Sequence, residues 1–264
     1  MSRPMQLSTQ QLSHFNTFGF LIFRQLLTPA EVETYRREFD LGLDSWIEGR
    51  VHDGGSRTYA ALMNETTPFI ASLGRDARFA SVAAQLLSRE VICIAVDGNY
   101  QVGDTGWHPD TGSLDYLGVK FCIYPDPLTA ASGALRVIPG SHLDPFHSAI
   151  TNEAAEYGIT PEGYPAFAFE SNPGDVLVFN VGVWHAAFGG DNKRRQGVVV
   201  YYEDPQTEAA THWVKRTMAS NHQLFSSLGR ELYSDYWRNL DDPQHKHWIA
   251  RLAELDCLDT PVAN

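Results

Sequence analysis

The chain has 264 residues, a formal net charge of −12, and 43% hydrophobic and 12% aromatic residues. That length and apolar share suit one large domain with an ample core. The acidic balance counts against a nucleic-acid partner, whose phosphates call for a clustered basic surface, and no apolar run approaches the roughly 20 residues of a membrane span.

The first residues lack the basic-then-apolar pattern of a signal peptide. Cys93, Cys122 and Cys257 show no paired spacing, so a reducing, cytoplasmic setting without disulfides is expected. In chain order, Ser8-Thr9-Gln10-Gln11 reads as a capping box opening a short helix toward Phe15. Gly19 to Phe23 is a compact apolar strand. Thr28-Pro29-Ala30-Glu31 is a stronger helix start, with Thr as cap, Pro in the first turn and Glu at the third position. The spacing carries that helix to about Leu43. Glu48 to Ser56 reads as a loop, and Arg75 to Ser88 as an amphipathic helix.

From Val91 the pattern changes. Val91 to Val102, Tyr116 to Tyr124, Ala134 to Ile138, Asp175 to Asn180, Val183 to Phe188 and Gly197 to Tyr202 are short β-branched or aromatic runs separated by Gly- and Pro-containing turns. Such runs, mostly without helices between them, predict an antiparallel sandwich or barrel. Leu143 to Asn172 is a long insertion of the kind that forms lids at barrel mouths. After Pro205 helical spacing returns, with Tyr233, Tyr236, Trp237 and Leu240 on one face. The organisation is one domain over 1–264, with a β-core at about 91–204 and helical flanks at both ends.

Chemistry concentrates in Trp107-His108-Pro109-Asp110 and in a distant second histidine, His185. Alternate residues of a strand share a face, so His108 and Asp110 point one way while Pro109, with no N–H to donate, marks a strand end or edge. Two imidazoles and one carboxylate suit non-haem Fe(II) and leave coordination positions open for chemistry. A lone HxD occurs by chance, and His14, His52, His147, His212, His222, His245 and His247 read as surface or satisfied core residues. His142, in the turn after Pro139-Gly140-Ser141, reads as a structural cap.

Five blocks in order strengthen the metal reading. They are Phe18-Gly19 through Leu26-Leu27-Thr28-Pro29; Trp107 to Asp110; Ser132-Gly133-Ala134-Leu135-Arg136-Val137-Ile138-Pro139-Gly140-Ser141-His142; Pro173 to Phe179 followed by Trp184-His185; and Asn192-Lys193-Arg194-Arg195 followed by a strand. Together they resemble the phytanoyl-CoA dioxygenase family of Fe(II)/2-oxoglutarate-dependent oxygenases. The resemblance runs to about residue 204 and leaves the last sixty or so residues unmatched.

The resemblance implies a mainly β fold with flanking helices, a double-stranded β-helix (a cupin-like jelly roll). It implies Fe(II) held by His108, Asp110 and His185, with 2-oxoglutarate and O2 as cosubstrates. It also implies an arginine for the far carboxylate of 2-oxoglutarate; counting back from the strand Gly197 to Tyr202 favours Arg195 over Arg194. A planar guanidinium suits a carboxylate through two charge-assisted hydrogen bonds. Lys120, on the alternating face Lys120-Cys122-Tyr124, faces either this interior or solvent, and Asn99 and Gln101 alternate on the strand feeding His108. All three are candidates for the cosubstrate. Arg57, Tyr59 and Trp184 are candidates for the substrate wall. The expected reaction is hydroxylation of a small molecule with release of succinate and CO2. The rivals are a cupin-like metal enzyme that does not use 2-oxoglutarate and a silent binding protein on the same fold.

Overall fold

The computed structural model describes residues 4–46, 52–153 and 163–259. Helix α1 (Thr9–Phe18) opens on the expected capping box, with the Ser8 hydroxyl accepting from Gln11 N–H at 3.2 Å and the Gln11 side chain accepting from Ser8 N–H at 2.9 Å. It stops at Gly19, whose φ of 81° suits glycine. A Cβ there would also lie 2.5 Å from Val183 and 2.6 Å from the His142 ring, so His142 is a packing partner of this turn. Strand β1 (Phe20–Phe23) leads to helix α2 (Pro29–Trp46), which runs past the expected end at Leu43. Its start carries the Thr28–Glu31 capping pair.

Three elements follow before the main β-run: β2 (Thr58–Ala61), α3 (Pro68–Leu73) and α4 (Ala77–Leu87). Neither β2 nor α3 was expected. Part of the expected loop Glu48 to Ser56 lies outside the described residues.

Strands β3 (Val91–Gln101), β4 (Thr105–His108), β5 (Gly118–Ile123), β6 (Leu135–Val137), β7 (Phe167–Ala168), β8 (Val176–Asn180), β9 (His185–Ala187) and β10 (Arg194–Glu203) form two antiparallel sheets. The larger has the order β1-β8-β5-β10-β3-β2 and the smaller β4-β9-β6-β7. Two facing antiparallel sheets whose neighbours are distant in sequence make a jelly roll. β1 and β2, both from the N-terminal flank, complete the edges of the larger sheet. The insertion Leu143 to Asn172 supplies helix α5 (Phe146–Glu153) and β7, while residues 154–162 lie outside the description.

Alternation decides which side chains meet the interior. On the outer face of the larger sheet, Phe121 packs edge-on against Phe79 of α4 at 5.2 Å, and Tyr100 against Phe39 of α2 at 5.6 Å. The inner face carries Lys120 and Cys122 on β5 and Gln196, Val198 and Val200 on β10. Beyond β10 come α6 (Glu208–Ser227), α7 (Asp235–Arg238) and α8 (Pro243–Glu254). The aromatic face expected near Tyr233 is a single turn, α7. Tyr233 nevertheless anchors this flank, donating its buried hydroxyl to Ile94 O at 2.7 Å. Among the described residues no helix is long and apolar enough to cross a membrane.

Candidate active site

β4 and β9 pair so that His108 faces His185 directly, with ring centroids 4.3 Å apart. Asp110 lies just past the end of β4, where its N–H donates to Val181 O at 2.8 Å. The expected strand end at Pro109 is where the ladder stops. One ligand atom from each of His108, Asp110 and His185 lies within 4.8 Å of the others.

Both imidazoles are oriented by the main chain two residues back. His108 Nδ1 meets Gly106 O at 2.8 Å, and His185 Nδ1 meets Val183 O at 2.9 Å. A carbonyl can only accept, so each Nδ1 carries the proton and each Nε2 presents a lone pair. His185 is buried, and that burial pulls its pKa down to about 4 against the opposing pull of Asp110. It is therefore a neutral ligand near neutral pH. Burial pushes the Asp110 carboxyl up, but Lys120, His185 and His108 outweigh it and hold it at about 2. The donor set is thus two imidazoles and one ionised carboxylate, which suits a divalent metal of the iron class.

Lys120 is on the interior face, where its ammonium donates to Asp110 Oδ2 at 2.9 Å. It is a neighbour of the candidate metal ligands and not a solvent-facing lysine.

His108, Asp110 and His185 line a cavity of about 240 Å³ between the sheets. One end is polar. Asn99 donates to Gln196 at 3.3 Å, Gln196 to the Tyr124 hydroxyl at 3.0 Å and Gln101 to the Thr105 hydroxyl at 2.8 Å. Arg57 and Tyr59 also line this cavity, as expected for wall residues. Thr217, Asn221, Leu224 and Phe225 of α6 form another part of the wall, in the spacing of one helical stripe.

Asp97, a further lining residue, has its carboxyl pushed up to about 6 by burial. Sequence reading passed over it, although its place two residues before Asn99 on the same face of β3 was a usable signal. The α6 stripe carried no such signal, because nothing in the helix shows what it covers.

Two expectations need correction. Arg195 does not face the cavity. It sits on the outer face of β10, where its guanidinium grips both carboxylate oxygens of Asp40 on α2 at 2.7 and 2.8 Å and Asp126 at 2.9 Å. β10 begins at Arg194, and its alternation puts Arg194, not Arg195, in phase with Gln196 and Val198. Arg194 is buried, and each of its three nitrogens donates to a main-chain carbonyl, of Asp191, Gly133 and Gly103. The second correction is Trp184, which is not among the cavity-lining residues; its ring lies 5.9 Å from that of His147 and its main-chain N–H donates to the Ser141 hydroxyl.

Among the remaining histidines, His222 and His245 are buried on the carbonyls of Cys257 and Trp237. His247 meets Glu90 and Asp204 at the surface, where Asp204 is already ion-paired with Arg251 at 2.7 Å.

A jelly roll that holds two imidazoles and a carboxylate at the wall of an inner cavity is the framework of a non-haem metal oxygenase. The chain belongs to the phytanoyl-CoA dioxygenase (PhyH) family, which it matches over residues 15–196. It is 25% identical over 223 residues to the ectoine dioxygenase of Nocardia farcinica, a match covering 69% of this chain and 72% of that one. Its fold is similar to that of HygX from Streptomyces hygroscopicus, solved with nickel and 2-oxoglutarate bound. That match has a TM-score of 0.62 and 20% identity and covers 78% of this chain and 94% of HygX. It is also similar to SnoK, a non-haem α-ketoglutarate-dependent carbocyclase of nogalamycin biosynthesis, with a TM-score of 0.62 and 20% identity, covering 77% of this chain and 88% of SnoK.

Proposed function

We propose that the chain is an Fe(II)- and 2-oxoglutarate-dependent dioxygenase that hydroxylates a C–H bond of a small molecule, releasing succinate and CO2. The observation that carries this reading is the convergence of His108, Asp110 and His185 within 4.8 Å at the wall of a cavity that is polar at one end. Family membership supports it, as do the relatives and neighbours whose names specify dioxygenase activity or 2-oxoglutarate.

Bound at these three side chains together with 2-oxoglutarate, iron supplies the O2-derived oxidant that removes hydrogen from an unactivated C–H bond. The chain's own residues set the stage. Gly106 O and Val183 O engage the two Nδ1 atoms and leave Nε2 of each imidazole as the nitrogen that would hold the metal. Lys120 keeps the Asp110 carboxylate ionised and fixes one of its oxygens. The amides and hydroxyl of Asn99, Gln101, Thr105 and Gln196 offer hydrogen bonds to the rest of the cosubstrate, with Tyr124 behind Gln196. The α6 wall, beyond the family match, combines the polar Thr217 and Asn221 with the apolar Leu224 and Phe225, which suits a small substrate with both kinds of surface. The described cysteines are free and buried, which supports a cytoplasmic setting.

The test is anaerobic loading with Fe(II) and 2-oxoglutarate, then exposure to O2 with quantification of succinate. Iron-dependent succinate release is expected even without substrate, at a slow rate. A chain that binds iron tightly but neither binds nor consumes 2-oxoglutarate would be a cupin-like enzyme of another kind. A chain that oxidises nothing with iron and 2-oxoglutarate bound would be a binding protein.

A further inference from the structure

We propose that the substrate carries a cationic nitrogen, an ammonium or amidinium group, and that the Asp97 carboxylate on the inner face of β3 receives it. This rests on the reading of the chain as an oxygenase of a small molecule.

Asp97 breaks the ordinary rules of a strand. It interrupts the apolar run Val91 to Val96 of an internal strand, where a carboxylate fits the sheet poorly and loses its water. Ten of the eleven residues of β3 are buried, and Asp97 is the one that keeps some exposure. The cavity accounts for that exposure, because Asp97 lines it together with Ala95, Asn99 and Gln101 of the same strand. The two amides are engaged, Asn99 with Gln196 and Gln101 with Thr105. Asp97 is not. Among the described residues none hydrogen-bonds or ion-pairs with its carboxylate.

Its neighbours in the sheet bring no charge to match it. Directly across lie Val198 on β10 and then Cys122 on β5, and on the other side Ala61 of β2. Lys120 shares the next row with Val200 and Ala95, but its hydrogen bond goes to Asp110 at 2.9 Å, and it acts on Asp97 only from a distance. Arg57 stands toward the other end of β3, held by the hydroxyls of Tyr59 and Thr105. The wall from α6 is neutral. Burial accordingly pushes the Asp97 carboxyl up to about 6. Near neutral pH it is ionised at a cost that a bound cation would remove.

The match must therefore come from what enters the cavity. The metal ion does not supply it, because the donor atoms that converge within 4.8 Å of one another belong to His108, Asp110 and His185 and not to Asp97. Neither 2-oxoglutarate nor O2 carries a positive charge, which leaves the substrate. An ammonium or amidinium group meets both needs of the carboxylate, a countercharge and N–H donors for its oxygens. Thr217 and Asn221 offer neutral acceptors for further N–H groups, and Leu224 and Phe225 offer apolar surface for a carbon skeleton. Asp97 and the three candidate metal ligands line one cavity of about 240 Å³, so a small substrate anchored at Asp97 keeps its C–H bonds in the same chamber as the metal site.

The experiment loads the full chain anaerobically with Fe(II) and 2-oxoglutarate and titrates it calorimetrically with matched probes. Butylammonium, cyclohexylammonium and benzamidinium are compared with 1-butanol, cyclohexanol and benzamide. Wild type is expected to bind at least one cation about tenfold or more tighter than its neutral partner, the ordinary worth of a hydrogen bond between charged groups. Asp97→Asn keeps the shape and removes the charge. It is expected to bring every pair within about twofold, to leave iron and 2-oxoglutarate affinity within about twofold of wild type, and not to lower the urea midpoint. Asp97→Glu, which keeps the charge, is expected to retain part of the preference. The proposal is overturned if no cation binds wild type better than its neutral partner, or if Asp97→Asn keeps the preference. Loss of iron or 2-oxoglutarate binding in Asp97→Asn would place the carboxylate in service of the metal site, and a collapsed urea midpoint would make it a structural group; either result also overturns the proposal. Failure of the oxygenase reading shows separately, before any probe is added, as an Fe(II)-loaded wild type that does not bind 2-oxoglutarate.

Discussion

At the metal end of the cavity, each histidine is oriented by a carbonyl two residues before it in its own segment. Elsewhere on the wall most of the polar groups are oriented by a neighbour from another part of the chain: Asn99 by Gln196, Gln196 by Tyr124, Arg57 by Thr105, while Gln101 meets Thr105 four residues on. The first arrangement is local and survives small shifts between strands. The second exists only when β2, β3, β4, β5 and β10 are in register. The contrast suggests that metal binding and cosubstrate selection respond to different mutations.

The sharpest way to break this contrast is at the metal. His108→Ala or His185→Ala removes one of three ligands and is expected to abolish turnover. The loss of iron affinity should exceed the roughly 10- to 100-fold typical of losing an outer partner of a ligand. Metal titration under anaerobic conditions checks it. Stoichiometric, tight iron with activity kept in both variants would remove the metal assignment.

The two ends also differed in how far they could be read from sequence, and for the same reason. His108 and Asp110 are two residues apart, so one strand-like segment suffices to bring them together, and the capping pairs Ser8–Gln11 and Thr28–Glu31 are equally local. The far end depends on phase. Arg194 and Arg195 are chemically identical neighbours, and only the alternation of β10, with Val198 and Val200 inward, puts one inside and the other outside. β2 was harder still. Thr58-Tyr59-Ala60-Ala61 has little hydrophobic pattern of its own and becomes a strand by pairing with β3 at the sheet edge. Arg57 and Tyr59 therefore reach the cavity wall from an element that propensity alone does not reveal.

A mutation at the loop junction behind Arg194 tests whether that arginine is structural. Gly133 has a φ of 87°, and an added Cβ would meet the Arg194 guanidinium at 2.1 Å. Gly133→Ala combines backbone strain with overpacking and is expected to cost about 2 kcal/mol or more in urea unfolding. Iron affinity should stay near wild type if the metal end is as locally determined as its geometry suggests. A neutral effect on stability would show that the Arg194 guanidinium is free to move.

The smallest expected effect is on the outer face of the same strand. Arg195 joins β10 to α2 through Asp40 and also meets Asp126, with side chains that remain 22%, 38% and 39% exposed, respectively. Pairs this exposed are screened by water, so Arg195→Ala should cost about 1 kcal/mol or less. The sign of its pH dependence follows from Asp40. Burial raises that carboxyl, but its hydrogen bonds from Arg195 and Tyr100 prevail and hold it below its ordinary value. A carboxyl with a lowered folded pKa stabilises the fold above its unfolded pKa, and this contribution fades as acid protonates it. The stability gap between wild type and Arg195→Ala should therefore be present at pH 7 and shrink below about pH 4, as measured by chemical denaturation at several pH values. The affinity for 2-oxoglutarate should not change at any of them. A large loss of cosubstrate binding in Arg195→Ala would mean that β10 shifts its phase when the ligand arrives, and the division between its inner and outer faces would no longer hold.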